Sequence, residues 1–285
     1  MKTTIKLLTV LASLLFTGCE RLDMSDMEDS QSQETKSITF TVNGGFKQQL
    51  TRATAAGESQ MTDLWVLDYV DGALVQQVHQ ASTEANFGSP TLSLKMGQHE
   101  LYFVASMGGT PVVSTEGHSI TWSTPRDTFW KKLSKNVTAN TGATATVTLE
   151  RVATRLRVNI EDALPETLAK VEMKPTTWYY GLDYLTGEGT DARSEAFSIS
   201  IPSSYAGRTN TQVGIMGLSL SEEWTTDVTV TARQTDGTAI STETITAAPM
   251  LRNRSTDYTG TLFLSENVLG VTLNDDWADA WTGRW

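Results

Sequence analysis

The side chains with which this chain could do chemistry are few and scattered. His79, His99 and His118 stand in separate turn-like segments, with no cysteine or carboxylate at metal-ligand spacing, so isolated surface histidines are expected. Asp275 and Asp276 adjoin at the end of a candidate strand. Neighbours on a strand point to opposite faces, which makes them poor partners for a shared acid–base role. Gly-x-Ser-x-Gly, His-Glu-x-x-His and a phosphate loop are all missing. Catalysis needs a nucleophile with its base, a carboxylate dyad or a set of metal ligands. None is assembled here, so no enzyme activity, cofactor or metal is expected. Trp277, Trp281 and Trp285 could form a carbohydrate platform or anchor a last strand. That leaves the one thiol, Cys19, whose meaning lies in its setting.

Cys19 follows a leader. Lys2 and Lys6 precede an apolar stretch from Leu7 to Phe16, and then comes Phe16-Thr17-Gly18-Cys19. An apolar run of this length is a secretory signal; a spanning helix needs about 20 residues. With small Gly18 before the sole cysteine, the segment resembles a bacterial lipoprotein lipobox, though Phe16 stands where Leu is usual. The resemblance implies cleavage after residue 18 and a lipid on Cys19, palmitate included. No later segment holds 18 uninterrupted apolar residues, so that lipid is the expected outer-membrane contact. Residues 19–36 are polar and acidic enough to read as a flexible tether.

The whole chain carries 22 basic and 33 acidic side chains, a formal charge of -11. That balance argues against nucleic acid, whose phosphates have to be met by clustered Lys and Arg. One cysteine also excludes a disulfide framework.

The elements that must carry any site read as strands. The chain has 44 threonines, many alternating with Val, Ile and Leu, which favours pleated, half-buried surface. Ile38, Phe40 and Val42 alternate with Thr39 and Thr41, so all three should enter one core. Leu64 to Val70 and Leu101 to Ala105 are buried-strand runs, and Asp71-Gly72 between Val70 and Ala73 marks a hairpin. Thr144 to Ile160 alternates with a phase shift near Arg151, a bend or a junction. Seven more candidate strands lie between Lys170 and Leu273. Pro125 to Ser134 reads as the one helix of the first half, with Thr124 as cap and Phe129, Trp130 and Leu133 on a shared face. Many short strands with little helix predict an all-β chain of two tandem sandwich-like domains, 37–150 and 151–285.

Several pieces then line up in order. They are the lipobox-like leader, Ile38 to Val42, Leu50-Thr51-Arg52-Ala53, and Asp63 to Tyr69 followed by Asp71-Gly72. Leu149-Glu150-Arg151-Val152-Ala153-Thr154-Arg155-Leu156 stands in mid-chain, with Pro249 to Asn253 and Tyr258 to Leu262 near the end. This order resembles the fimbrillin superfamily of Bacteroidales, over nearly all of the expected mature chain. The resemblance implies two transthyretin-like β-sandwich domains with short helical insertions, and export as a lipoprotein to the outer membrane and cell surface. It implies assembly into a fimbrium with other subunits by donor-strand exchange, in support of adhesion to a host or bacterial target. In its polymerising members an arginine-specific protease cuts after the first strand, and the matching bond here is Arg52–Ala53. The first strand, Ile38, Phe40 and Val42, would then leave a groove that a donor strand fills. The alternative is an unprocessed surface lipoprotein acting as a fimbrial anchor or as a module that binds glycan or host protein.

Overall fold

Alternation becomes strand almost everywhere. The computed structural model describes residues 34–44 and 61–264, together with the backbone of 269–274. The first strands are β1 (Thr35–Asn43), β2 (Asp63–Val70), β3 (Ala73–Ala81), β4 (Thr91–Lys95) and β5 (Gly97–Ser106). Then come β6 (Val112–Ser114), β7 (Ser119–Thr121), β8 (Thr128–Val137), β9 (Thr144–Thr148) and β10 (Glu150–Arg151). The second half holds β11 (Ala153–Ile160), β12 (Lys170–Pro175), β13 (Trp178–Asp183), β14 (Glu188–Arg193) and β15 (Phe197–Ser200). It ends with β16 (Thr211–Leu218), β17 (Glu223–Arg233), β18 (Ala239–Leu251), β19 (Ser255–Gly260) and β20 (Leu269–Asn274). Among the described residues there is no α-helix, and the helical insertions reduce to one 3-10 turn, Ser203–Tyr205. The fold is all-β.

Two pairs of facing sheets build two cores. In the first, β4-β1-β9 lies over β10-β8-β5-β2-β3. Ile38, Phe40, Val42, Leu92, Leu94 and Val147 from the small sheet meet Leu64, Val66, Leu101, Phe103 and Phe129 from the large one. In the second, β20-β19-β11-β16 continues through β13 to β7 and β6, and faces β15-β12-β17-β18. Leu156, Val158 and Ile215 there meet Val171, Met173, Val228 and Val230. Asp162 closes this end, its carboxylate accepting the backbone N–H groups of Leu262, Phe263 and Leu264 at 3.1, 2.6 and 3.1 Å.

A third core explains why the runs in β2 and β5 are continuously apolar. Trp65, Leu67 and Tyr69 leave the opposite face of β2 to pack with Tyr102, Val104, Ile120, Trp122, Leu182 and Tyr184. A strand covered on both faces has no solvent side, so its sequence stops alternating. The β6–β7 hairpin contributes here by pairing with β13, Gly181 opposite Thr121 and Asp183 opposite Ser119. The Asp71-Gly72 turn has φ of 51° and 78°, the doubly left-handed turn that suits strand twist.

The expected helix at Pro125 to Ser134 is overturned. Thr128–Val137 is strand β8, paired with β5 from Gly97↔Val137 to Ser106↔Thr128. The spacing from Phe129 to Leu133 misleads because four residues make about one helical turn but also two full pleats. Trp130 decides the matter physically. It leaves the other face of the strand, where its Nε1 donates to the Tyr184 carbonyl at 2.8 Å.

The histidines are not isolated on the surface. His99 is 2 % exposed, with Nδ1 2.7 Å from the Asp68 carboxylate and Nε2 2.9 Å from the Lys95 carbonyl. Burial pushes the Asp68 carboxyl above the usual carboxylate range, against the opposing pull of His99. His79 stacks on Trp65 at 4.9 Å and meets Asp63 at 2.9 Å, and His118 stands edge-on to Tyr69 and Tyr184. Each partner is distant in sequence or on a neighbouring strand, which spacing alone does not reveal.

Candidate assembly interface

The first strand is the element on which the sequence places most weight, and its setting is the middle of a three-stranded sheet. β1 runs antiparallel to β4, Ile38 opposite Leu92, and parallel to β9, Val42 opposite Val147. Its backbone is tied on both edges: Phe40 N–H donates to the Pro90 carbonyl, Val42 N–H to Gly88 and Thr39 N–H to Ala143, each at 2.9 Å. Ile38, Phe40 and Val42 are 0, 0 and 2 % exposed. Phe40 lies 5.4 Å from Phe103 at a tilt of 60°. Thr39 and Thr41 turn away, and Thr39 bonds the Thr91 hydroxyl at 2.8 Å.

Burying three such side chains contributes about 1.5–3 kcal/mol each. Taking β1 out would leave β4 and β9 each with an unpaired edge, beside an apolar trough floored by Leu64, Val66, Leu101 and Phe103. That trough could accept a strand of similar alternation. Gln80 stiffens the rim: 2 % exposed, it donates to the Asn86 carbonyl and accepts from Gly88 N–H.

Where the two halves of the chain meet, three arginines do what sequence reading left unassigned. Arg151 forks onto Asp127, Nε to Oδ1 at 2.8 Å and Nη2 to Oδ2 at 3.2 Å, and lies over the Phe129 ring. Arg155 donates from Nε to Ser255 at 3.0 Å, and burial pushes its guanidinium down to about 10. Arg157 forks onto Asp257, which also accepts from the Ser255 hydroxyl. Arg155 and Arg157 share a face of β11, so Arg-x-Arg was the available signal for those two. The Pro249 to Asn253 segment locks the same region. Arg252 donates to the Gly187 carbonyl at 2.7 Å and Asn253 N–H to Ala153 at 2.9 Å.

Burial works against ionisation of Asp257, but Arg157 and the Ser255 hydroxyl hold its carboxyl below the usual range. A carboxyl depressed by folding stabilises above its unfolded pKa, and the contribution is lost as pH falls through the folded value. The pair's stabilisation should therefore be complete above about pH 4 and drain away below it. Urea midpoints collected between about pH 2 and pH 5 should fall more gently for Asp257→Asn than for the unmodified protein. Equal slopes would mean that the pair does not act in this way.

Cys19, Arg52 and Ala53 lie outside the described residues, as do Asp275, Asp276, Trp277, Trp281 and Trp285. Among the described residues no group of three or more His, Cys, Asp or Glu could hold a metal ion, and no helix is long and apolar enough to cross a membrane.

The model of a family of unknown function, DUF6562, matches residues 110–284. Among solved structures, a candidate adhesin from Bacteroides ovatus aligns with a TM-score of 0.53 at 12% identity, covering 81% of this chain and 88% of that one. A candidate polysaccharide-binding protein (DUF1812) from Bacteroides thetaiotaomicron aligns with a TM-score of 0.52 at 13% identity, covering 84% and 96%. The tip fimbrial protein Mfa3 from Porphyromonas gingivalis aligns with a TM-score of 0.47 at 16% identity, covering 83% and 99%. The first two likenesses show a shared fold. A comparison with curated protein sequences finds no match.

Proposed function

This chain belongs to the DUF6562 family, and on its fold we propose that it is a structural component of a cell-surface fimbrium that supports adhesion. Subunits join by β-strand exchange. The observation that carries the reading is β1: a central strand, fully buried on its apolar face, followed by the stretch 45–60 that contains Arg52–Ala53. Cleavage at that bond makes the strand a separate peptide, free to leave its trough. A donor strand from another subunit then restores both the backbone ladder and the buried side chains, by β-augmentation. The chain reaches the outer membrane as a lipoprotein acylated on Cys19, and subunits in the fibre lose that anchor with the cut. No chemistry beyond binding is required of the subunit itself.

Arg52→Ala tests the mechanism. The cut protein should give ladders that survive denaturing electrophoresis without boiling, and Arg52→Ala should give a single band. Should Arg52→Ala subunits enter surface fibres as readily as unmodified ones, cleavage-gated exchange fails. The protein is then an unprocessed anchor or binding lipoprotein.

A further inference from the structure

A cleft at the open seam of the second sandwich stands apart from β1 and from the strand-exchange mechanism. It has a volume of about 620 Å³ and lies between β15, β16, Tyr180 of β13 and the 123–127 segment. Its size matches that of ordinary small-ligand sites, roughly 300–1,000 Å³. Among the described residues β15 pairs only with β12, and β16 meets β13 at the single pair Tyr179↔Leu218, which leaves the seam open.

An open sheet edge invites another strand, but this one is partly filled already. The Trp178 indole donates to the Met216 carbonyl at 2.9 Å, and a Cβ placed on Gly217 would fall 2.5 Å from the indole nitrogen. A ladder along β16 would have to pass through Trp178. The space suits a compact ligand better than a strand.

Its polar groups are uncommitted in a selective way. Asp127 is taken by Arg151, and Glu195 stands 3.9 Å from Arg193. Arg126 is exposed and, among the described residues, its guanidinium makes no hydrogen bond or ion pair, so the cleft keeps one spare cation in a chain of charge -11. Tyr180 is only 3 % exposed and lines the cleft. Its ring stacks on Phe197 at 5.7 Å, with the Arg193 guanidinium 4.4 Å from the centroid. Burial, reinforced by Glu195, pushes the phenol up to about 12, so it remains a proton donor at neutral pH. Phe197, part-exposed, lines the cleft from β15, whereas alternation turns the exposed Ser198 and Ser200 side chains to the other face of that strand.

We propose that this cleft binds a saccharide of one or two rings that carries a carboxylate. Arg126 receives the carboxylate, a planar fork to a planar acceptor. The Tyr180 hydroxyl meets a ring hydroxyl, and Phe197 offers apolar surface to a sugar face.

Titration calorimetry with digalacturonate and with its neutral dimethyl ester tests the site on the full chain. Digalacturonate should bind more tightly than the ester. Arg126→Gln should weaken digalacturonate about tenfold and leave the ester unchanged, since a charge-assisted hydrogen bond is lost. Tyr180→Phe, which keeps the ring, should weaken both several-fold. Both substitutions should leave the melting temperature in place, because one removes an exposed group and the other a single hydroxyl. The proposal is overturned if neither sugar binds at millimolar concentration, or if binding ignores both substitutions. It is equally overturned if a peptide of residues 35–43 occupies the cleft in their place.

Discussion

Phe40→Ala should lower the stability of this protein by about 3–5 kcal/mol, the usual loss for a truncated core aromatic. Phe40 is fully buried, sits on the middle strand of its sheet, and packs on Phe103. The flanking strands hold the cavity open, because β4 and β9 are both fixed by their own pairing to β1. In a chain of this size each kcal/mol moves the melting temperature by roughly 2–4 °C, so the shift should be roughly 6–20 °C. Thr41→Ala, one residue along and pointing to solvent, should stay within about 0.5 kcal/mol. Matching thermal melts of the two variants would show that β1 is not held by its buried face. On the proposed mechanism the same experiment bears on assembly, since a donor strand must then replace what such a side chain contributes.

The second large effect is expected at Arg151. Its guanidinium is the fork that compensates the Asp127 carboxylate, which is 1 % exposed. Arg151→Met strands that carboxyl in the interior, and removing one partner of a buried pair costs about 3–5 kcal/mol. The variant should also acquire a pH signature. Burial already raises Asp127 above the usual carboxylate range, and loss of Arg151 takes away an opposing influence. A carboxyl raised by folding gives its stabilisation at low pH and loses it as pH rises through the folded value. Arg151→Met should therefore be less stable at pH 8 than at about pH 5. The double variant Asp127→Leu/Arg151→Met should regain much of the loss, because no buried charge remains. A double variant no more stable than the single one would assign the cost to lost packing on Phe129 instead.

Local alternation was enough to identify most strands. Ile38-x-Phe40-x-Val42 states in five residues which side chains enter the core, and Asp71-Gly72 states where the chain reverses. Other strands gave no such signal. β14 is Glu-Gly-Thr-Asp-Ala-Arg, polar and glycine-bearing, and it is a strand because β13 lies beside it from Trp178 to Asp183. The stretch at Thr128–Val137 has a helix-like apolar spacing, yet ten residue pairs with β5 make it a strand. Cooperative pairing with a strand already in place outweighs weak intrinsic preference.

The same division holds for the candidate sites. Sequence alone determined the strand character and the inward face of β1. Tertiary structure decided that His99 is buried on Asp68, that three arginines have dedicated partners, and that β15 and β16 part to leave a cleft beside Arg126. The physical reason is distance along the chain. A side chain's direction depends on a two-residue period, whereas Arg155 with Ser255, Arg157 with Asp257 and Asp162 with Leu262 each join groups 100 positions apart. Such partners become neighbours only when sheets pair and pack, and no local pattern of residues specifies them.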